Sequence, residues 1–600
     1  MPPPDCDYIV VGSGAGGGTV AARLAESGFR VVVLEAGGDP RAEAARLPAD
    51  YDVPAFHPFA SENPELAWDF FVRHYADPVQ QARDPKLTPR GIFYPRAATL
   101  GGCTAHNAMI FVRPPDQDWD AIATLTGDPS WRAVEMNRIV RRLEDCRHRP
   151  VWRLLRHLGL DPTGHGWSGW LPTEHAKPLS VFGDDVLVRT VIDSAAADIL
   201  GVPRPLAALR RLVRSWADPN DSRLIGRRAD GICYTPLTTD AHRRIGTRER
   251  LLDVAARFPD RLRIELGALA TRVVLDDANR ATGVAYRSGR HLYRADPCAA
   301  ASPGDERVLS AARGIILAGG AFNSPQLLML SGIGPRAALE AHGIAARIDL
   351  PDVGRNLQDR YEVSVVNRMA RAWEALSGAT FTAGDPLYRQ WQAGQGMYIS
   401  NGAAIALSTR SAPGLALPDL FCMALLARFA GYAPGYSAEV AAHHDYLSWC
   451  VLKAHTANRT GTVTLATADP LDTPAIDFNY FTDDPGDADL GAVIAGIRLV
   501  RRLADPLIAQ GLIVEEELPG RAVDSDAALA TFVRDTAWGH HACGTCAIGS
   551  VLTADFAVRG AQALYVMDAS IFPKIPGFFI ASAIYMAAEK AADVIGRRTA

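Results

Sequence analysis

The run Tyr8-Ile-Val-Val-Gly12-Ser-Gly-Ala-Gly-Gly17 constrains this chain more than any other stretch. Tyr8 to Val11 have the apolar continuity of a buried strand, and the residues after the glycines, TVAARLAESG ending on Gly28, read as a helix. Strand, glycine turn and helix in that order form a cradle for a dinucleotide. Gly12 makes the tight turn, Gly14 lets the backbone approach a pyrophosphate, and Gly17 lets helix and strand pack closely. The N-terminus of the helix then faces the phosphates. A second strand, Phe29 to Leu34, ends on Glu35, 18 residues after Gly17. A carboxylate there accepts ribose hydroxyls and repels a 2'-phosphate, which favours FAD or NAD over NADP.

At 600 residues the chain is too long for one core, so two domains of unequal kind are expected, interleaved because no clear linker divides them. A formal net charge of -5 argues against a nucleic-acid partner. The nine cysteines are odd in number and scattered, which is not how a disulfide framework looks. They are expected to be reduced, and the protein cytoplasmic. The first apolar run begins at Tyr8, already the first strand, so no signal peptide is expected. Phe578 to Ala588, apolar but far shorter than the roughly 20 residues of a spanning helix, is expected to be a core helix. Cys543 and Cys546 form one CxxC without a second, and the fifteen histidines include no HExxH, so no metal site is expected.

Several distant segments settle which dinucleotide. Pro95-Arg-Ala-Ala-Thr-Leu-Gly-Gly-Cys-Thr-Ala-His-Asn-Ala-Met109 resembles the first signature of the glucose-methanol-choline (GMC) oxidoreductases, with Gly101, Gly102 and Asn107 on its fixed points. Gly319 to Gly334 is similar to the second signature, and Pro351 to Asp359 to the motif that follows it. Near the end, His541-Ala-Cys-Gly-Thr-Cys546 and Tyr565 to Pro573 match the catalytic-histidine motif and the last flavin-contacting strand. The resemblance spans essentially the whole chain in the family's order. It implies a FAD-binding Rossmann-like α/β domain assembled from 1–110, 225–340 and 540–600. It further implies an α+β substrate domain on an antiparallel sheet over 341–539, with 111–224 as a helical lid and insertion. Asp568 and Ala569 are expected near the pyrophosphate and ribityl chain, and backbone groups near Val273 at the adenine. His106 stands where choline oxidase-like members carry a histidine joined to the flavin, and is a candidate covalent anchor.

The resemblance implies oxidation of an alcohol by hydride transfer to flavin N5, with His541 as the base and His540 beside it in the substrate pocket. The family's second active-site residue, an Asn or His, lies eleven residues before the lysine matched by Lys590, and that position here is Phe579. His541 is therefore expected to act alone, in a pocket that Phe579 makes more apolar, on an apolar alcohol. The same scaffold also leaves open a lyase, a light-driven decarboxylase, or a flavin-binding protein without activity. The electron acceptor, whether oxygen, a quinone or a protein, is not fixed by these residues. Between 147 and 225 the chain exceeds the family pattern. There Leu206, Leu209, Val213 and Trp216 recur at helical spacing with Arg210, Arg211 and Arg214 elsewhere, a basic amphipathic helix that suits either a packed lid or a peripheral membrane contact.

Overall fold

The computed structural model describes residues 3–175, 218–225 and 230–598. Strand β1 (Cys6–Val11), helix α1 (Ala15–Glu26) and strand β2 (Val31–Glu35) follow one another as the opening motif requires. Tyr8, Ile9 and Val10 are fully buried because β1 lies inside a sheet covered on both faces, where parallel pairing demands apolar residues throughout.

That sheet has seven strands. Leu262–Leu266, β2, β1 and the second half of Asp305–Leu317 run parallel, and Leu564–Val566 pairs parallel with Ile315 to Leu317. The first half of the long strand turns to a different use. Asp305 to Ser310 pair antiparallel with Ala281–Ser288, which pairs with Ala268–Leu275. The chain thus returns to β1 from positions far along the sequence, and α1 packs against both Thr247–Arg257 and the last helix, Ile580–Arg598. The helix expected near Phe578 is this one.

A second sheet is antiparallel and six-stranded, in the order Ile513–Leu518, Tyr361–Met369, Tyr446–Lys453, Leu420–Leu425, Ala403–Thr409 and Gly231–Cys233. Alternate residues sort between its faces. Val363, Val365, Cys422 and Val451 pack with the helix Ala488–Ala509, while Phe421, Met423, Cys450 and Leu452 join Met109, Ile110, Trp538 and Phe579 in a separate cluster toward the first sheet. One piece of the expected partition is corrected. Gly231–Cys233 falls within 225–340 yet hydrogen-bonds along Ala406 to Ser408, completing the edge of the second sheet rather than serving the first.

From the insertion, Asp116–Thr126 packs on Ala133–Leu143, which packs on the last helix. The basic helix expected over Pro205 to Trp216 lies outside the described residues. No described helix is long and apolar enough to cross a membrane.

Candidate functional site

One cavity runs between the two sheets, with the Gly12 to Gly16 loop and Glu35 lining one part and His540, His541 and Phe579 another. The loop is closed to side chains where the fold needs it. Gly12 has φ +96°, and a Cβ there would stand 2.4 Å from the Ala318 carbonyl oxygen; at Gly17 it would stand 2.0 Å from the Gly12 carbonyl oxygen. Gly14 differs. A Cβ there would meet only the Cα of Gly102, at 3.8 Å, so its open side faces the cavity and a bound group can approach the backbone. A Cβ on Gly102 would come within 2.7 Å of the Gly14 Cα, so the two glycine loops touch.

Glu35 is not free, as a bare ribose acceptor would be. Its Oε2 accepts from the Ser13 N–H at 3.0 Å and the Ser13 hydroxyl at 2.5 Å, and its Oε1 from the Gly37 N–H at 3.1 Å. The Gly101 N–H donates to Ser13 Oγ at 2.9 Å, so Gly101 supports the loop from behind while Gly102 lines the cavity. Burial holds the Glu35 carboxyl above its usual range against these bonds, and its remaining lone pairs stay open to hydroxyl donors. Asp568 is tied in the same way, accepting from the Gly320 N–H at 2.9 Å, Ser324 Oγ at 2.5 Å and the Ser570 N–H at 2.8 Å. It pins the start of the helix Gly320–Leu330 beside Ala569, which also lines the cavity. Asn107 Oδ1 accepts from the Met109 N–H and the buried Arg244 guanidinium, at 3.0 and 2.9 Å.

Val273 lies on the strand Ala268–Leu275. Its N–H donates to Ser331 Oγ at 2.8 Å and it lies off the cavity, whereas Ala268, Leu269 and Ala270 of the same strand line it. His106 lines the cavity, buried, with Nδ1 lacking a partner; burial first, then the Arg96 and Arg244 charges, lower its pKa to about 3 and keep it neutral.

At the other part of the cavity the His541 N–H donates to Asp359 Oδ1 at 2.8 Å, and Asp359 Oδ2 accepts from the Tyr94 hydroxyl at 2.6 Å. The ring of Phe579 stands 5.9 Å from that of His541 and 5.2 Å, at a right angle, from Phe421. Burial lowers the pKa of both His540 and His541 well below the usual imidazole value, so both are neutral.

Glu362 is the residue that reading the sequence missed. It is buried in the strand Tyr361–Met369 at an alternate position facing the cavity, with Oε1 3.4 Å from His540 Nδ1 and 3.5 Å from His541 Nδ1. Its backbone exchanges hydrogen bonds with Trp538, at 2.9 and 3.0 Å, which fixes the histidine loop to the sheet. Neither carboxyl oxygen has a closer partner, and burial pushes its pKa well above the usual carboxylate range. Glu362 is the one acidic residue of that strand, and a buried carboxyl among mostly apolar positions is out of pattern, though the pattern does not say which face meets the cavity.

A family model described as GMC oxidoreductase matches residues 6–362, more than half of the chain, and a second GMC oxidoreductase model matches 457–588. The chain is 32% identical over 600 residues to an uncharacterized GMC-type oxidoreductase of Mycobacterium tuberculosis, covering 98% of this chain and 99% of that one. It is 28% identical to an oxygen-dependent choline dehydrogenase of Sinorhizobium fredii, covering 99% and 96%. Among solved structures, pyridoxine 4-oxidase from Mesorbium loti superposes with a TM-score of 0.74 at 24% identity, covering 98% and 99%. A formate oxidase variant of Aspergillus oryzae gives 0.77 at 22%, covering 99% and 98%.

Proposed function

Because this chain belongs to the GMC oxidoreductase family and is an FAD-dependent oxidoreductase, we propose that it oxidises the CH–OH group of an alcohol, with His541 accepting the hydroxyl proton. FAD, when bound, supplies the hydride acceptor. The cavity fits that cofactor: the open side of Gly14, the paired glycine loops, and the anchored carboxylates of Glu35 and Asp568 would hold it, with Asn107 and Ala569 beside them. The observation that carries the reading is the neutral, buried imidazole of His541 within 3.5 Å of Glu362. A neutral ring keeps one nitrogen unprotonated, the form a general base must have, and Nδ1 of this one stands 3.5 Å from the Glu362 carboxyl. Glu362 is a polar neighbour of that ring where Phe579 offers none, and Asp359 holds the same residue through its backbone N–H.

The walls contributed by Met109, Ile110, Met423 and Phe579 suit an alcohol with an apolar body. A second reading, an amino alcohol, is favoured by the rings of Trp538 and Tyr432 in the cavity wall, since aromatic faces attract an ammonium group. The nine free cysteines fit a reducing compartment, and we place the protein in the cytoplasm.

Two expectations follow. Because the His541 pKa lies below its ordinary 6.5, its base form persists through neutral and alkaline pH and is lost only as pH falls. The rate of anaerobic flavin reduction should therefore be flat above pH 6.5 and decline in acid; a midpoint above 6.5 contradicts the assignment. His106, neutral and with an unpartnered Nδ1 in the cavity, is the side chain we assign to a covalent bond with the flavin. Acid precipitation should then leave the yellow colour in the pellet. Release of all of it into the supernatant sinks the covalent bond.

A further inference from the structure

Glu144, Cys146, His148, His165, Thr173 and Asp218 come together around the paired short strands Glu144–Cys146 and Leu171–Thr173, and none of them lines the cofactor cavity. Nε2 of His148 and Nε2 of His165 converge on one atom, Asp218 Oδ2, at 3.0 and 3.1 Å. The opposite nitrogen of each ring is already held: His165 Nδ1 by the Glu144 carboxylate at 3.0 Å, and His148 Nδ1 by the Thr173 carbonyl oxygen at 3.2 Å. Glu144 is itself fixed by the Gly166 N–H and the Thr173 hydroxyl, at 3.0 and 2.9 Å. Cys146 Sγ lies 3.7 Å from either nitrogen of His148, and one ligand atom each from Cys146, His148 and His165 fall within 4.8 Å of one another. The side chains of His148, His165 and Asp218 are no more than 2% exposed.

This is the chemistry of a metal centre with its orienting groups in place. A histidine that binds a metal donates its other N–H to a carboxylate or a backbone carbonyl, which fixes tautomer and ring plane, and both rings here do so. Two ligands at roughly 2.1 Å from a tetrahedral ion stand about 3.4 Å apart, and a sulfur and a nitrogen about 3.6 Å. Asp218 Oδ2 stands 3.0 and 3.1 Å from the two imidazole nitrogens, and Sγ 3.7 Å from those of His148. Sγ is equidistant from the two nitrogens of His148, so it lies beside that ring, within 4.8 Å of a nitrogen of each imidazole. We propose that Cys146, His148, His165 and Asp218 bind a zinc-class divalent cation, in a closed four-ligand site that joins three separate stretches of the chain. A closed set without an open position is structural. The competing arrangement keeps the same contacts as ion pairs, two protonated rings sharing Asp218, with the Arg149 guanidinium 3.9 Å from that carboxylate.

Elemental analysis of the FAD-loaded protein, purified after growth with zinc and dialysed against EDTA, distinguishes them. The expected result is about one zinc per chain, lost in His148→Gln and Cys146→Ser while both variants keep their FAD. If His148→Gln does not fold, Cys146→Ser carries the comparison alone. Wild-type protein that holds no zinc after growth or incubation with it overturns the site, as does zinc retained undiminished in the folded variants.

Discussion

His541→Ala should slow anaerobic flavin reduction by the alcohol substrate roughly 10²- to 10⁴-fold, the usual contribution of a positioned general base, while FAD stays bound. The separation of effects comes from how the residue is held. Its anchor to Asp359 uses the backbone N–H, which alanine keeps, and Tyr94 holds the other oxygen of that carboxylate regardless of the side chain at 541. The loop is also stitched to the second sheet through Trp538 and Glu362, and to Gln358 just before that sheet through Cys543, again by backbone groups. What the variant loses is the neutral ring itself. Rapid mixing in the absence of oxygen measures the reduction rate, and the ratio of FAD to protein reports whether the fold has survived. A reduction rate in His541→Ala equal to that of the wild type would remove it from the mechanism.

The second large effect separates fold from cofactor within one loop. Gly12→Ala sets a side chain at φ +96° and 2.4 Å from the Ala318 carbonyl oxygen. Backbone strain of that kind alone costs about 1–3 kcal/mol, before any overlap is relieved, so this variant should lower the melting temperature of the cofactor-free protein. Gly14→Val meets no protein atom nearer its Cβ than the Gly102 Cα at 3.8 Å, and its methyl groups project toward the cavity. It should melt with cofactor-free wild type and yet bind little or no FAD. The comparison is made between cofactor-free forms because bound FAD raises stability by mass action. Full FAD content in Gly14→Val would move the cofactor away from this loop.

What could be read from the residues alone depended on how local the governing physics is. The β1, α1 and β2 unit was legible because its geometry is forced by neighbours in sequence: a tight turn at Gly12, close packing at Gly17 and an acid at the end of the next strand. The strand containing Val273 was legible as a strand, but alternation alone does not say which of its residues reaches the cavity, and Ala268 to Ala270 do so instead. Gly231–Cys233 is three residues long, too short to carry a period, and its place at the edge of the second sheet is decided by partners some 170 residues away. Glu362 was hidden for a related reason. Its strand is buried on both faces, so nothing in the apolar pattern distinguishes the cavity side from the core side until the sheet is assembled. The ties on Glu35 were equally out of reach, because Ser13 and Gly101 come together only when the two glycine loops meet.

The central claim is oxidation of an alcohol at this cavity, and the most direct measurement is anaerobic mixing of the FAD-loaded protein, in the dark, with primary and secondary alcohols bearing aliphatic, aromatic or ammonium-containing bodies. At least one of them should bleach the flavin absorbance in a single turnover. Alcohol oxidation would be contradicted by a flavin that dithionite reduces but none of the alcohols does, or that responds to substrate only under illumination.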